Sequence, residues 1–344
     1  MPGTFVYTPP AGTVLSVGSH QKLNTTFMPN DIVNYTTASA AVSINVLEPV
    51  IAYITNSGDR TVSVINTTNN SITATVPVGS YPIGVAVTPD RTKVYVANYG
   101  GNNVSVIDTS TNNVTATVNV GKGPEGVAVT PDGTKVYVTN YGGNNVSVIN
   151  TTTNTVTAIV PVGNYPIGVA VTPDGSKVYV TNYANAGTVS VINTNTNTVT
   201  ATVFVRSYPY GVAVSTDGTK VYVANYVNSG TISVINTTTN NITAIVPVGN
   251  YPEGVAVTPD GSKVYVTNHN CNTVSVINTI TNTVTATVPV GRYPIGVAVT
   301  PDGTKIYVTN QNGNDVYVIN TTTNTVTATL PVGTYPVAFG KFIT

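Results

Sequence analysis

Val136-Tyr137-Val138-Thr139-Asn140 is built of β-branched and aromatic residues, which suit a pleated, half-buried strand. The same string, with Thr or Ala at its fourth position, occurs at Val94–Asn98, Val178–Asn182, Val221–Asn225 and Val264–Asn268. Variants stand at Ala52–Asn56 and Ile306–Asn310. The tyrosines are Tyr53, Tyr95, Tyr137, Tyr179, Tyr222, Tyr265 and Tyr307, so successive spacings are 42, 42, 42, 43, 43 and 42 residues. A fixed period of this length marks a repeat architecture.

Each unit holds four strand-like stretches, for example Gly168–Thr172, Lys177–Asn182, Thr188–Asn193 and Thr198–Val205. Four strands in about 42 residues describe a propeller blade, whereas a helical solenoid would need Ala, Leu and Glu at a 3.6-residue period. Pro-Asp-Gly at 131–133, 173–175, 259–261 and 301–303 supplies a fixed φ, an Asx acceptor and a permissive glycine between the first and second strands. Pro77, Pro161, Pro247, Pro289 and Pro331 fall in the fourth strand, and a residue with no N–H belongs on an edge. The fourth strand is therefore the outer one.

The ends of the repeat are complementary. Ile51 enters at a second strand, and Tyr335-Pro336-Val337-Ala338-Phe339 is a first strand with no second. The sequence thus predicts an all-β fold: a seven-bladed β-propeller over residues 49–344, closed by its C-terminal strand. Closure leaves only short outer edges unpaired. Residues 1–48 lack the period. Phe5–Thr8, Thr13–Val17, Lys22–Phe27 and Ala38–Val46 alternate like strands of a small sandwich, too short to stand as a complete one, and read as a partial immunoglobulin-like segment.

Composition narrows the function. Charged residues make up 8% of the chain, against about 25% in an ordinary domain. Thirteen basic and thirteen acidic residues cancel, so no electrostatic footprint for nucleic acid exists. One cysteine, Cys271, excludes an intrachain disulfide and a Cys-based zinc site. No apolar run suffices to span a bilayer as a helix, and residues 1–4 do not begin a signal peptide, which implies an intracellular chain or a missing start. His20 and His269 are the only histidines, so no histidine-based metal cluster or haem ligand pair is expected within the ring, and no cofactor is called for.

Tyr-Val-Thr-Asn, preceded by Pro-x-Gly-Val-Ala-Val-Thr-Pro-Asp-Gly and followed by Val-Ser-Val-Ile-Asn-Thr, resembles the YVTN family of β-propeller repeats over residues 51–344. That resemblance extends to archaeal surface-layer proteins, notably of methanogens, which carry such propellers beside immunoglobulin-like modules. It implies a non-enzymatic extracellular or cell-surface protein serving structure or adhesion, with other surface proteins or glycans as partners. Related propellers also occur in secreted binding proteins and redox enzymes, and fold does not fix function. A propeller enzyme of lyase or oxidoreductase type and a soluble protein-interaction platform are the competing expectations.

Propellers bind ligands at the channel mouth, on the face bearing the fourth-to-first and second-to-third loops. Those loops carry Tyr81, Tyr165, Tyr208, Tyr251, Tyr293 and Tyr335 before proline, and Tyr99, Tyr141, Tyr183 and Tyr226 after the repeat asparagine. Repetition at nearly every blade favours a packing role for the Tyr-Pro set, so the exceptions are the functional candidates. Lys122, Glu125, Arg206, Tyr210, Glu253, His269 and Arg292 break the pattern and are expected around one opening, where they suit a small polar ligand or a cation. His269 and Cys271 lie two apart on one loop, without an orienting third group for nucleophilic chemistry. Glu125 and Glu253 offer an acid–base pair only if the fold brings them together. Asn-x-Ser/Thr sequons mark Asn66, Asn103, Asn145, Asn150, Asn236, Asn241 and Asn320 as glycosylation candidates, with others at Asn24, Asn34, Asn69 and Asn113.

Overall fold

The computed structural model describes residues 1–344, which divide into two compact units, Met1–Pro49 and Val50–Thr344. The larger unit is a seven-bladed propeller. Six blades are four-stranded antiparallel sheets whose strands lie in sequence order, as in Pro124–Val129, Lys135–Asn140, Asn145–Asn150 and Thr155–Pro161. First strands pack against first strands of neighbouring blades and line the centre, while the fourth strands, five of them ending in proline, lie outermost.

The repeat residues are the stitching between blades. Tyr53, Tyr95, Tyr137, Tyr179, Tyr222, Tyr265 and Tyr307 are all buried. Four of them, Tyr95, Tyr137, Tyr265 and Tyr307, bond the next blade through their hydroxyls: Tyr95 donates to Asn154 Oδ1 at 2.8 Å and Tyr137 to Asn197 Oδ1 at 2.9 Å. Beside each bond a lysine ammonium reaches a carbonyl of that blade, Lys93 to Thr151 at 2.6 Å and Lys135 to Thr194 at 2.6 Å. Asn154 and Asn197 sit in the left-handed region that asparagine tolerates, at φ 52° each. In the Pro-Asp-Gly turn, Asp132 accepts from Thr134 N at 3.0 Å and Gly133 takes φ +71°.

Closure occurs in the blade built from both ends. Ile51–Asn56, Thr61–Asn66 and Ser71–Pro77 form three strands, and the C-terminal segment lies inside them through bridges Asn56↔Pro336 and Ala52↔Ile343. The expected regular strand over Tyr335–Phe339 is not what forms. Five residues, 337–341, separate the pairing positions Pro336 and Phe342, where the next blade has three, 83–85, between Pro82 and Ala86. The two extra residues bulge out: Ala338 takes φ 45° and Gly340 φ 126°. Phe339 crosses to the neighbouring first strand, its N–H donating to Ile83 O at 3.2 Å and its carbonyl accepting from Val85 N at 3.0 Å. A Cβ on Gly340 would lie 2.6 Å from Val85 O, so the crossing needs a glycine. Phe342 and Ile343 then return to the core of the first blade.

The N-terminal unit is one antiparallel sheet of Gly3–Thr8, Gly18–Pro29 and Ala38–Val46. Only three of the four expected strands form, in a single sheet. Thr13–Val17 is loop, with Val14 94% and Val17 53% exposed, because no neighbouring strand pairs with it.

Candidate active site

Alternation along each first strand sends the residue after its proline into the channel. This ring consists of Ile83, Glu125, Ile167, Tyr210, Glu253, Ile295 and Val337. Five junctions between blades are made alike. In the blade of Thr139, its hydroxyl accepts from Gly126 N at 2.7 Å and donates to Ile167 O of the next blade at 2.7 Å. Thr55, Thr181, Thr267 and Thr309 donate similarly to Ile83, Tyr210, Ile295 and Val337. Ala97 and Ala224 occupy the threonine position in the remaining two blades, and the ring residues that follow them are Glu125 and Glu253. There the backbones approach more closely. A Cβ on Gly84 or Gly211 would lie 1.9 Å from the glutamate carbonyl oxygen, against 2.3–2.4 Å for Gly126, Gly168, Gly254 and Gly296 at the threonine junctions.

Both glutamates are enclosed, Glu253 being 4% exposed, and Oε2 of each has no hydrogen-bond partner. Burial pushes the Glu125 carboxyl up to about 8. Burial, then the charge of Glu125, holds Glu253 well above the ordinary carboxylate range. They face one space, because both raise the phenols of Tyr183 and Tyr210, after burial in each case. His269 Nε2 stands 3.9 Å from Glu253 Oε1, too far for a hydrogen bond. Burial lowers His269 while raising Glu253, so both shifts work against an ion pair between them.

Aromatic rings complete the walls. Tyr210 packs against Tyr226 at 5.5 Å, Tyr183 at 5.9 Å and, edge-on, Phe339 at 5.5 Å. Phe339 also joins a buried cluster with Ile167, Ile295 and Val337, so the bulged C-terminus forms an apolar floor. Above the ring, the residues after the repeat asparagine form an aromatic arc, Tyr99, Tyr141, Tyr183 and Tyr226, continued by the polar His269, Gln311 and Ser57. Each backbone N–H of this tier binds the carbonyl of the residue before proline, as Tyr99 N does with Tyr81 O at 3.0 Å, which sets both tiers on one face.

The Tyr-Pro tyrosines pack across blade boundaries: Tyr165 on Tyr141 at 5.0 Å, Tyr208 on Tyr183 at 5.1 Å, Tyr251 on Tyr226 at 5.0 Å, and Tyr293 stacked on His269 at 4.5 Å. Their φ values of 51–56° are costly for an aromatic residue, and Gly123 takes the same conformation in the one blade without that tyrosine. Of the seven pattern-breaking candidates, Glu125, Tyr210, Glu253 and His269 come together. Lys122, Arg206 and Arg292 lie on the exposed rim of the same face. Cys271 does not meet the His269 imidazole: its Sγ accepts from Asn250 N at 3.2 Å, while Nδ1 of His269 faces Asn270 Oδ1 at 2.8 Å.

The sequon asparagines fall in three settings. Asn66, Asn150, Asn236 and Asn320 lie on the opposite face, each Oδ1 capping a turn through a backbone N–H at 2.9 Å. Asn103 and Asn145 have their amide nitrogens engaged, donating to Gly101 O at 3.0 Å and Gly143 O at 2.8 Å. Asn241 is exposed at the start of an outer strand. Ala97, Ala224 and Phe339 were not singled out from sequence. The first two were visible as Val-Tyr-Val-Ala-Asn variants and the third as an unmatched aromatic near the C-terminus.

Residues 218–337 match the profile of the family described as Lactonase, 7-bladed beta-propeller. No curated protein matches the sequence. Similar solved structures include hydrazine synthase of Kuenenia stuttgartiensis, at TM-score 0.73 and 24% identity over 78% of this chain and 92% of that one. A protein of unknown function from Desulfotomaculum acetoxidans aligns at TM-score 0.73 and 18% identity over 85% of this chain and 99% of its own. Dihydro-heme d1 dehydrogenase NirN, solved in complex with DHE, aligns at TM-score 0.64 and 16% identity over 84% and 74%. At these identities the solved structures share the propeller fold. The expectation of a non-enzymatic surface-layer or adhesion scaffold is overturned by the family match, which over residues 218–337 is to a lactonase propeller.

Proposed function

We propose that the protein is a propeller hydrolase that opens small cyclic esters in the upper channel, with Glu125 and Glu253 as its acid–base pair. The carrying observation is that the channel ring holds two enclosed carboxyls, each with an unpaired Oε2, whose environments raise both above the usual range. Pairs of titratable groups whose surroundings separate their affinities for protons are suited to acid and base roles. Glu125, at about 8, ionises first and takes a proton from an attacking water. Glu253, more deeply buried and facing the charge of Glu125, stays protonated and gives its proton to the ring oxygen as the acyl C–O bond breaks. Water adds across that bond and a hydroxy acid results. The Tyr210 hydroxyl, held protonated by burial, is placed among these groups to donate to the developing oxyanion. The partial match to the lactonase family supports the ester as the bond attacked; it spans Glu253 and His269.

The test is hydrolysis of a panel of γ- and δ-lactones, followed by acid release, for the wild type, Glu125→Gln and Glu253→Gln. Turnover should rise with pH towards about 8 and fall at least ~100-fold in each variant without a lowered melting temperature. Absence of turnover on every lactone from pH 6 to 9, or full activity in both variants, refutes the assignment.

A further inference from the structure

We propose that the upper channel is a binding site for an organic cation, an ammonium or quaternary ammonium group lodged between Glu125 and Glu253 among the tyrosine rings. The inference stands apart from the ester chemistry above, since binding is read without turnover.

Four of the seven ring positions are occupied by isoleucine or valine, which fill the space with no polar demand, so two carboxyls at equivalent positions are not required for packing. Each leaves Oε2 enclosed and unpartnered, and the basic group within 4.0 Å is the His269 imidazole, whose own burial disfavours its charge. The lysines of the repeat are turned away: Lys93, Lys135, Lys177, Lys220, Lys263 and Lys305 are spent on carbonyls at the opposite face. What surrounds the carboxyls instead is aromatic. Tyr99 and Tyr141 feel the charge of Glu125, Tyr226 that of Glu253, and Tyr183 and Tyr210 that of both. Carboxylates combined with electron-rich rings form the environment that recognises alkylated ammonium groups, which shed water readily and are drawn to the ring quadrupole. A small hydrated metal ion is served less well, because the walls offer phenols and apolar edges rather than a set of oxygen ligands.

The groups facing the pair are those five phenols, His269 and the two carboxyls themselves. The phenols stay protonated through neutral pH, and His269 is held below its ordinary value, so the carboxyls govern the charge between pH 7 and 8. A cation entering below pH 8 must displace a proton, which weakens binding about fivefold over the first unit below that point and about tenfold for each unit after it.

Isothermal titration with tetramethylammonium chloride and, as neutral isostere, neopentyl alcohol decides the matter. The cation should bind, roughly fivefold tighter at pH 8 than at pH 7 and about twofold tighter again at pH 9. Glu125→Gln and Glu253→Gln should each weaken it at least tenfold while melting no lower than wild type, and sodium should compete poorly. Equal binding of neopentyl alcohol, pH-independent affinity, undiminished binding in both variants, or displacement by equimolar sodium would each overturn the proposal. These readouts are independent of lactone turnover, so failure of one assignment is distinguishable from failure of the other.

Discussion

Phe342→Ala tests whether the C-terminal segment locks the ring. Phe342 is fully buried in the core shared with Tyr53, Val85 and Tyr307, and its carbonyl accepts from Tyr53 N at 2.9 Å. Truncating a buried phenylalanine costs about 3–5 kcal/mol, from lost apolar transfer plus the cavity left behind. For a propeller unit of this size each kcal/mol lowers the melting temperature by about 2–4 °C, so the midpoint should fall by roughly 6–20 °C. Phe204→Ala is the matched control: the same side chain, 74% exposed on an outer strand, should change the midpoint by less than about 2 °C. Differential scanning calorimetry on both variants reads the contrast. A Phe342→Ala midpoint within about 2 °C of wild type would show that the returning segment carries no closing energy.

Two further outcomes follow from the same geometry. Tyr137→Phe removes the hydroxyl bonded to Asn197 and should cost about 1 kcal/mol, whereas Tyr179→Phe, whose hydroxyl has no partner, should be neutral or stabilising; urea denaturation compares the two. Glu125 keeps its proton in the folded state up to about 8 and loses it near the ordinary carboxyl value of 4.5 when unfolded, so stability is full below pH 4.5 and declines as pH rises towards 8, by up to about 1.4 kcal/mol per unit. Glu125→Gln should therefore melt above wild type at pH 8 and alongside it at pH 4; a higher wild-type midpoint at pH 8 would reverse the sign.

The blades were legible because each local signal agrees with the tertiary one. Proline in the fourth strand, Pro-Asp-Gly between the first two and the tyrosine at each core are all repeated, and the ring sets them all in equivalent places. The C-terminal bulge was not legible in this way. Pro336-Val337-Ala338-Phe339 opens like any first strand, and the register is decided later, by where Phe342 and Ile343 meet Tyr53 and Ala52. Thr13–Val17 failed for the converse reason, since alternation marks a strand only where a partner is present to pair with it. Among the site candidates, depth separated the useful from the rest. Glu125, Tyr210 and Glu253 occupy the position that alternation turns into the channel, while Lys122, Arg206 and Arg292 lie in the loop before proline and reach only the rim.

The two glutamates did not enter the scaffold alone. At five junctions a threonine hydroxyl fills the gap between a backbone N–H, of glycine at four and of Ala338 at the fifth, and the next ring carbonyl; at the two junctions that precede Glu125 and Glu253 that hydroxyl is gone and the backbones close up. A residue change in one blade thus sets how near the following blade's glutamate backbone is drawn. Because Ala97 and Ala224 each sit one blade ahead of a carboxyl, restoring threonine at either would reinstate a donor where the backbone now leaves little room for it. The coupling ties both pattern breaks to one structural purpose, the placing of two carboxyls in a ring that otherwise favours apolar residues. Such paired exceptions, set against near-identical repeats, are what distinguish a built site from sequence drift.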